Sequence, residues 1–259
     1  MTEEEKYTNN PFSVTLLFYT HKSSEALMKK NGFKIGQNNF HLLNDTEKYV
    51  SRVSKINGDL RRVFEQLNSI RVFIRRFPNK KFYYENGIGE LDYIQYHTES
   101  LVHKIHTIME IMKLMVNEVY CLGIQERNCN WKNLTRKLDK ETDCLRVIDN
   151  YLDVFKDYID LRHINTHRGI YKDGEKEEIE MDFGLDIYLM SQSLGYELDE
   201  KFQKAFPKFM IDYKIKELKK QRIEFINKTE KIINEKLKLF LSALSEEFNN
   251  RTKTFYNTV

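Results

Sequence analysis

Chain breakers are scarce in this sequence: 259 residues hold three prolines and ten glycines. That scarcity argues against a sandwich or barrel of many short strands and points to long helices. Cysteines are equally few. Cys121, Cys129 and Cys144 form no Cys-x-x-Cys pair, which argues against a zinc ribbon or a disulfide framework. Free thiols suit a reducing cytoplasm. Long apolar runs are missing too. The most apolar helical stretch, around 105–122, is interrupted by Glu110, Lys113, Asn117 and Glu118, so a membrane span is not expected. The opening "MTEEEK" is acidic where a signal peptide would be basic, and no apolar segment directly follows it. A formal net charge of +3 names no partner by itself. There is no internal repeat and no low-complexity tract.

What is present suffices for a core. Hydrophobic residues make up 41% of the chain and charged residues 31%, so one elaborated domain is expected. Residues 1–40 show no helical period and 1–43 read as an N-terminal arm, in which "FSVTLLFYT" (12–20) could be a short strand or an apolar arm laid on the body. A long helix is expected over 44–77, capped by Asn44 or Asp45 and stopped by Pro78. Its apolar positions run Val53, Ile56, Leu60, Val63, Leu67, Ile70, Ile74 and Phe77. A second helix is expected over 90–122. Leu91, Ile94, Leu101, Ile105, Ile108, Met112, Met115 and Val119 recur every three or four residues, Thr98 fills one slot, and Gly123 is a natural stop. A third helix is expected over 141–167, on the stripe Leu145, Ile148, Leu152, Phe155 and Ile159. A last helix, bent at Pro207, should run over 202–250. Between these last two, residues 173–200 hold ten acids and one base, Lys176. With its flanks (169–205) this segment reads as an acidic inserted loop region, in which "IEMDFGLDIYLMSQSLGYE" could contain a short strand pair or a short helix. Four long amphipathic helices must bury their stripes on one another. The economical arrangement is an all-α, elongated antiparallel four-helix bundle over 44–259.

The third helix carries the chemistry. Three residues beyond Ile159 its stripe reaches Arg162, in "LRHINTHRG" (161–169). If the helix ends or tightens there, Arg162 and His167 can converge on one small object, and a phosphate suits them. Arginine offers a permanently charged planar fork to its oxygens. Histidine titrates near neutrality and can take or give a proton. On RNA, His167 could accept the 2′-hydroxyl proton while Arg162 offsets charge growing on the phosphoryl oxygens. That chemistry needs no metal or other cofactor. His163 is a candidate supporting catalytic residue, and Asn165 and Arg168 are candidate substrate contacts. The competing reading is a helix end, where basic side chains complement the dipole and Gly169 caps.

The motif "RHINTH" in this helical context resembles the HEPN superfamily (higher eukaryotes and prokaryotes nucleotide-binding domains). Its members are helical bundles with an Arg-x4–6-His motif, often with Asn, Asp or His after the Arg. Arg162, His163 and His167 meet that pattern. The stretch "LDYIQYHTESLVHKIHTIMEIMKLMVNEVYCLGI" is similar to the helix that precedes the motif helix in some bacterial members. The resemblance covers roughly 44–250 as architecture and six residues as a specific motif. It implies metal-independent RNA cleavage, a homodimer whose two motifs face one cleft, and service in toxin–antitoxin or antiphage systems, with an antitoxin or regulatory protein as a partner. Inactive members that bind RNA or act as interaction scaffolds also exist, so a non-catalytic module is the alternative. One subgroup has Tyr two places after the His. Here that place is Gly169, with Tyr171 two further on, so regulation through that tyrosine is not expected.

Other features have plainer readings. His103 and His106 lack an evident third metal ligand and are expected on a polar flank. Met109, Met112 and Met115 are expected as core filler. Trp131 is expected against the bundle end. Over 201–238 there are twelve Lys or Arg and five Asp or Glu; this basic face either follows an RNA backbone or is a solvated helix face. The acidic 173–200 segment is either a lid that repels RNA or a dimer contact.

Overall fold

The computed structural model describes residues 7–167 and 174–256, with backbone alone for 163–167, 192–193 and 254–256. The chain is all-α, with no strand among the described residues. Helix α1 spans Pro11–Met28, so the strand or arm expected at 12–20 is a helix. The Asn10 carboxamide caps it, accepting from the Ser13 N–H at 3.0 Å, and Pro11 occupies the first turn. Phe12 and Leu16, four apart, are buried, while Val14, Leu17 and Phe18 are exposed; a strand would have put Val14 on the buried face with them, and a helix does not.

Helix α2 spans Asp45–Arg75. Its start is a reciprocal capping box. The Glu47 N–H donates to Asn44 Oδ1 and the Asn44 N–H to Glu47 Oε2, both at 2.8 Å. Lys30 ion-pairs with Glu47 and braces that box. The helix stops three residues before Pro78. Helix α3, Lys80–Glu85, lies between the first two helices expected from sequence. Helix α4 spans Glu90–Val119. Leu101, Ile105, Ile108, Met112 and Met115 are fully buried along it, with Met109 almost so. Thr98 is buried as well and donates its hydroxyl to Ile94 O at 2.9 Å. The chain leaves α4 earlier than expected: Cys121 already has a φ of 50° and Gly123 one of 66°, while the Leu122 N–H returns to Asn117 O at 2.9 Å.

Helix α5, Trp131–Lys137, is capped by Asn130, and Trp131 is half-buried. The expected third helix is two helices, α6 (Asp143–Val154) and α7 (Lys156–His167), separated at Phe155. The acidic segment is not a loop. Residues 174–205 form α8 (Gly174–Glu177), a π-helical turn (Glu178–Asp182), α9 (Leu185–Leu194) and α10 (Glu200–Ala205). Pro207 does not bend a continuous last helix: α10 ends before it, and α11 (Lys208–Tyr256) starts after it and runs 49 residues.

The chain divides into two compact units. The first comprises Met1–Glu65, Ile105–Lys156 and Lys231–Val259. Its core closes around Phe12, Tyr151, Phe240 and Phe248. Tyr151 donates its hydroxyl to Ile105 O at 2.8 Å and Tyr49 donates to Val119 O at 3.1 Å, so these buried hydroxyls are satisfied. The second unit comprises Gln66–Lys104 and Asp157–Glu230. In it Leu91, Ile179, Ile211 and Leu218 form a buried cluster, joined by Phe183, Leu185, Tyr188 and Ile215. The acidic segment is thus held by an apolar anchor of its own.

Candidate nucleic-acid site

The motif belongs to α7, in the second unit. Ile159 is buried and Arg162, three residues on, is half-buried, so the apolar face of α7 grades into the arginine as expected. The helix stays helical through His167. It does not tighten between Arg162 and His167, and five helical steps set their directions about 140° apart. His163, Asn165 and His167 therefore lie on the α7 backbone, with His167 the last described residue before 174; their side chains, and all of Arg168, Gly169 and Tyr171, lie outside the described residues.

Tyr158, four residues before Arg162 and on the same face, packs its ring on Phe225 of α11, with centroids 5.1 Å apart. Burial, together with the charge of Asp157, pushes the Tyr158 hydroxyl above its ordinary range, and Arg222 pulls the other way. Arg222, three residues before Phe225, lies close to this face of the motif helix and is largely buried. It forms an ion pair with Glu175 of α8. The neighbouring Lys176 reaches α4 instead, with its Nζ 2.6 Å from Asp92 and 3.3 Å from Glu180. Burial works against the charge of Lys176, but the bonds to Asp92 and Glu180 outweigh it and hold its pKa up. Two consecutive residues of opposite charge therefore clip the segment that follows the motif to α11 and to α4.

Neither Tyr158 nor Arg222 was singled out from sequence. Tyr158 could have been, because it sits one turn before Arg162. Arg222 had no local signal beyond its place on the basic stretch of α11. The two histidines of α4 differ from each other: His103 is exposed, but His106 is buried beside Glu110 at 3.5 Å, not on a polar flank. Among the described residues, no group of three or more His, Cys, Asp or Glu is arranged to hold a metal ion. Burial pushes the thiols of Cys129 and Cys144 up to about 11, which keeps both protonated at neutral pH. No described helix is long and apolar enough to cross a membrane.

No curated protein and no solved structure matches the chain. A family model does. The model of the Cthe2314-like HEPN family matches residues 53–240, well over half of the chain. The match begins within α2, ends within α11 and includes all of α7. This helical chain, with its Arg-x4-His segment inside the matched span, belongs to the Cthe2314-like HEPN family.

Proposed function

We propose that the chain is a metal-independent endoribonuclease, acting as a homodimer in toxin or antiphage defence, with residues 44–259 as its catalytic body and an antitoxin or regulatory protein as a further partner. The observation that carries the reading is the position of Arg162. It is half-buried on α7, one helical turn beyond Tyr158 and Ile159, which pack inward, within the span matched by a HEPN family. HEPN domains are nucleotide-binding or RNase-type domains, and an RNA phosphate is the anion that this arginine and a neighbouring histidine would serve.

In the proposed reaction, neutral His167 removes the proton of a 2′-hydroxyl. The oxygen attacks the adjacent phosphorus, the bond to the 5′-oxygen breaks, and that oxygen leaves with a proton. The products are a 2′,3′-cyclic phosphate and a 5′-hydroxyl. Arg162 offsets the charge that grows on the phosphoryl oxygens with support from His163, and Asn165 and Arg168 hold the flanking backbone. Positions 162 and 167 lie about 140° apart around one helix, so a single copy of the motif would have to reach the phosphate from two sides of α7. A second copy of the motif in the same cleft would lift that constraint.

End-group analysis tests this route. Full-length protein should cut single-stranded RNA to fragments ending in a 2′,3′-cyclic phosphate and a 5′-hydroxyl, and should leave 2′-O-methyl RNA intact. Equal cutting of the methylated RNA, or fragments with 5′-phosphates, would overturn it.

A further inference from the structure

The second unit has an aromatic pocket that the reaction does not use. Phe73 of α2, Tyr83 of α3, and Tyr93, Tyr96 and His97 of α4 surround an open cavity of about 580 Å³. That is within the size range of small-ligand sites. His97 stacks on Phe73, with centroids 5.0 Å apart and planes at 28°, and meets Tyr93 edge-on at 4.5 Å. Two of these residues stay largely in water: Tyr96 is 67% exposed and Phe73 is 47% exposed. Burial lowers the His97 pKa, so the imidazole brings no charge to the pocket at neutral pH. The one carboxylate at the rim, Asp92, is engaged by Lys176 at 2.6 Å.

The chain beside the pocket is basic. "RRFPNKKFYY" (75–84) interleaves Arg75, Arg76, Lys80 and Lys81 with four aromatic residues; all four cations are exposed, and Lys80 and Lys81 make only long contacts, to Glu90 at 3.9 Å and Glu85 at 3.8 Å. Exposed rings next to exposed cations match a ligand that is flat and apolar on one part and anionic on the next. A nucleobase joined to phosphate has that form. An apolar helix of a protein partner would satisfy the rings but not the cations. A second copy of this surface would set the four cations against four more. A duplex does not fit either, since its bases are already stacked on one another.

We propose that this pocket stacks an unpaired base of single-stranded RNA, with the adjoining phosphates on Arg75, Arg76, Lys80 and Lys81. The proposal rests on the reading of RNA as the substrate and names where that RNA is gripped. Lys176 holds the pocket rim at Asp92 while its neighbour Glu175 holds Arg222 beside Tyr158 of the motif helix. The consecutive residues Glu175 and Lys176 thus join the pocket rim to the surroundings of the motif helix, and RNA seated in the pocket would set which stretch of strand reaches Arg162 and His167.

Binding tests it without cleavage. Full-length His167→Ala protein would be titrated into a short single-stranded RNA bearing one 2-aminopurine, and quenching and anisotropy would be followed. Tyr96→Ala and Phe73→Ala, each added to that background, should weaken binding by about five- to a hundredfold and reduce the quenching. Tyr96→Phe should bind as the parent does. Unchanged binding and quenching in both alanine variants, with melting temperatures at the parent value, would overturn the proposal. Adenosine monophosphate should compete only at concentrations far above the RNA. Competition at equal concentration would identify a free-nucleotide site instead. If wild-type protein fails to cut RNA while these variants still lose binding, the cleavage reading falls and the base-stacking pocket stands.

Discussion

The two units use the same aromatic residue types for opposite ends. In the first, Phe12, Phe240, Phe248 and Tyr151 are fully buried, and Phe248 alone meets the rings of Phe12 at 5.1 Å and Tyr49 at 5.9 Å. Phe18 and Phe40 are its exposed exceptions. In the second unit, Phe73, Phe82, Tyr84, Tyr96, Phe209 and Tyr213 are exposed, and ion pairs supplement the apolar anchor of the acidic segment. The motif helix belongs to this second unit beyond its first residue. One unit spends its rings on stability and the other displays them, and chemistry is expected where rings and charges stay accessible.

The largest effect should come from breaking the closed unit. Phe248→Ala leaves a void among three rings and should cost about 3–5 kcal/mol in urea unfolding, whereas Tyr96→Ala should cost less than about 0.5 kcal/mol. Equal costs would erase the contrast. A smaller effect should come from the clip beside the motif. Glu175→Gln removes the charge held against Arg222, and should raise RNA cleavage by up to about fivefold, the worth of a partly exposed ion pair, with little change in unfolding midpoint. A fall in cleavage would show that Glu175 supports the site instead of screening it.

Much of the fold was legible because its signals are local. Asn44 and Glu47 mark a capping box in plain sequence, and the stripe from Leu91 to Val119 keeps its period. Helix α1 was missed because "FSVTLLFYT" is apolar on every face, although Asn10 and Pro11 formed an ordinary start signal. The break at Phe155 has no proline or glycine to announce it, and the apolar stripe runs on through it. The acidic segment read as a loop because its charges drew attention away from Ile179 and Phe183, four apart, and Leu185 and Tyr188, three apart. At the site, Arg162 could be read from its stripe. Arg222 could not, because its approach to Tyr158 joins residues more than sixty positions apart in the chain, which no local spacing encodes.

The central claim is that Arg162 and His167 make RNA cleavage possible without a metal. Wild-type protein, Arg162→Ala and His167→Ala would be incubated with single-stranded RNA in EDTA. Wild type should cut, and the loss of either side chain should slow cutting by about a hundredfold or more. Equal cutting by all three proteins, or none by wild type, would contradict it.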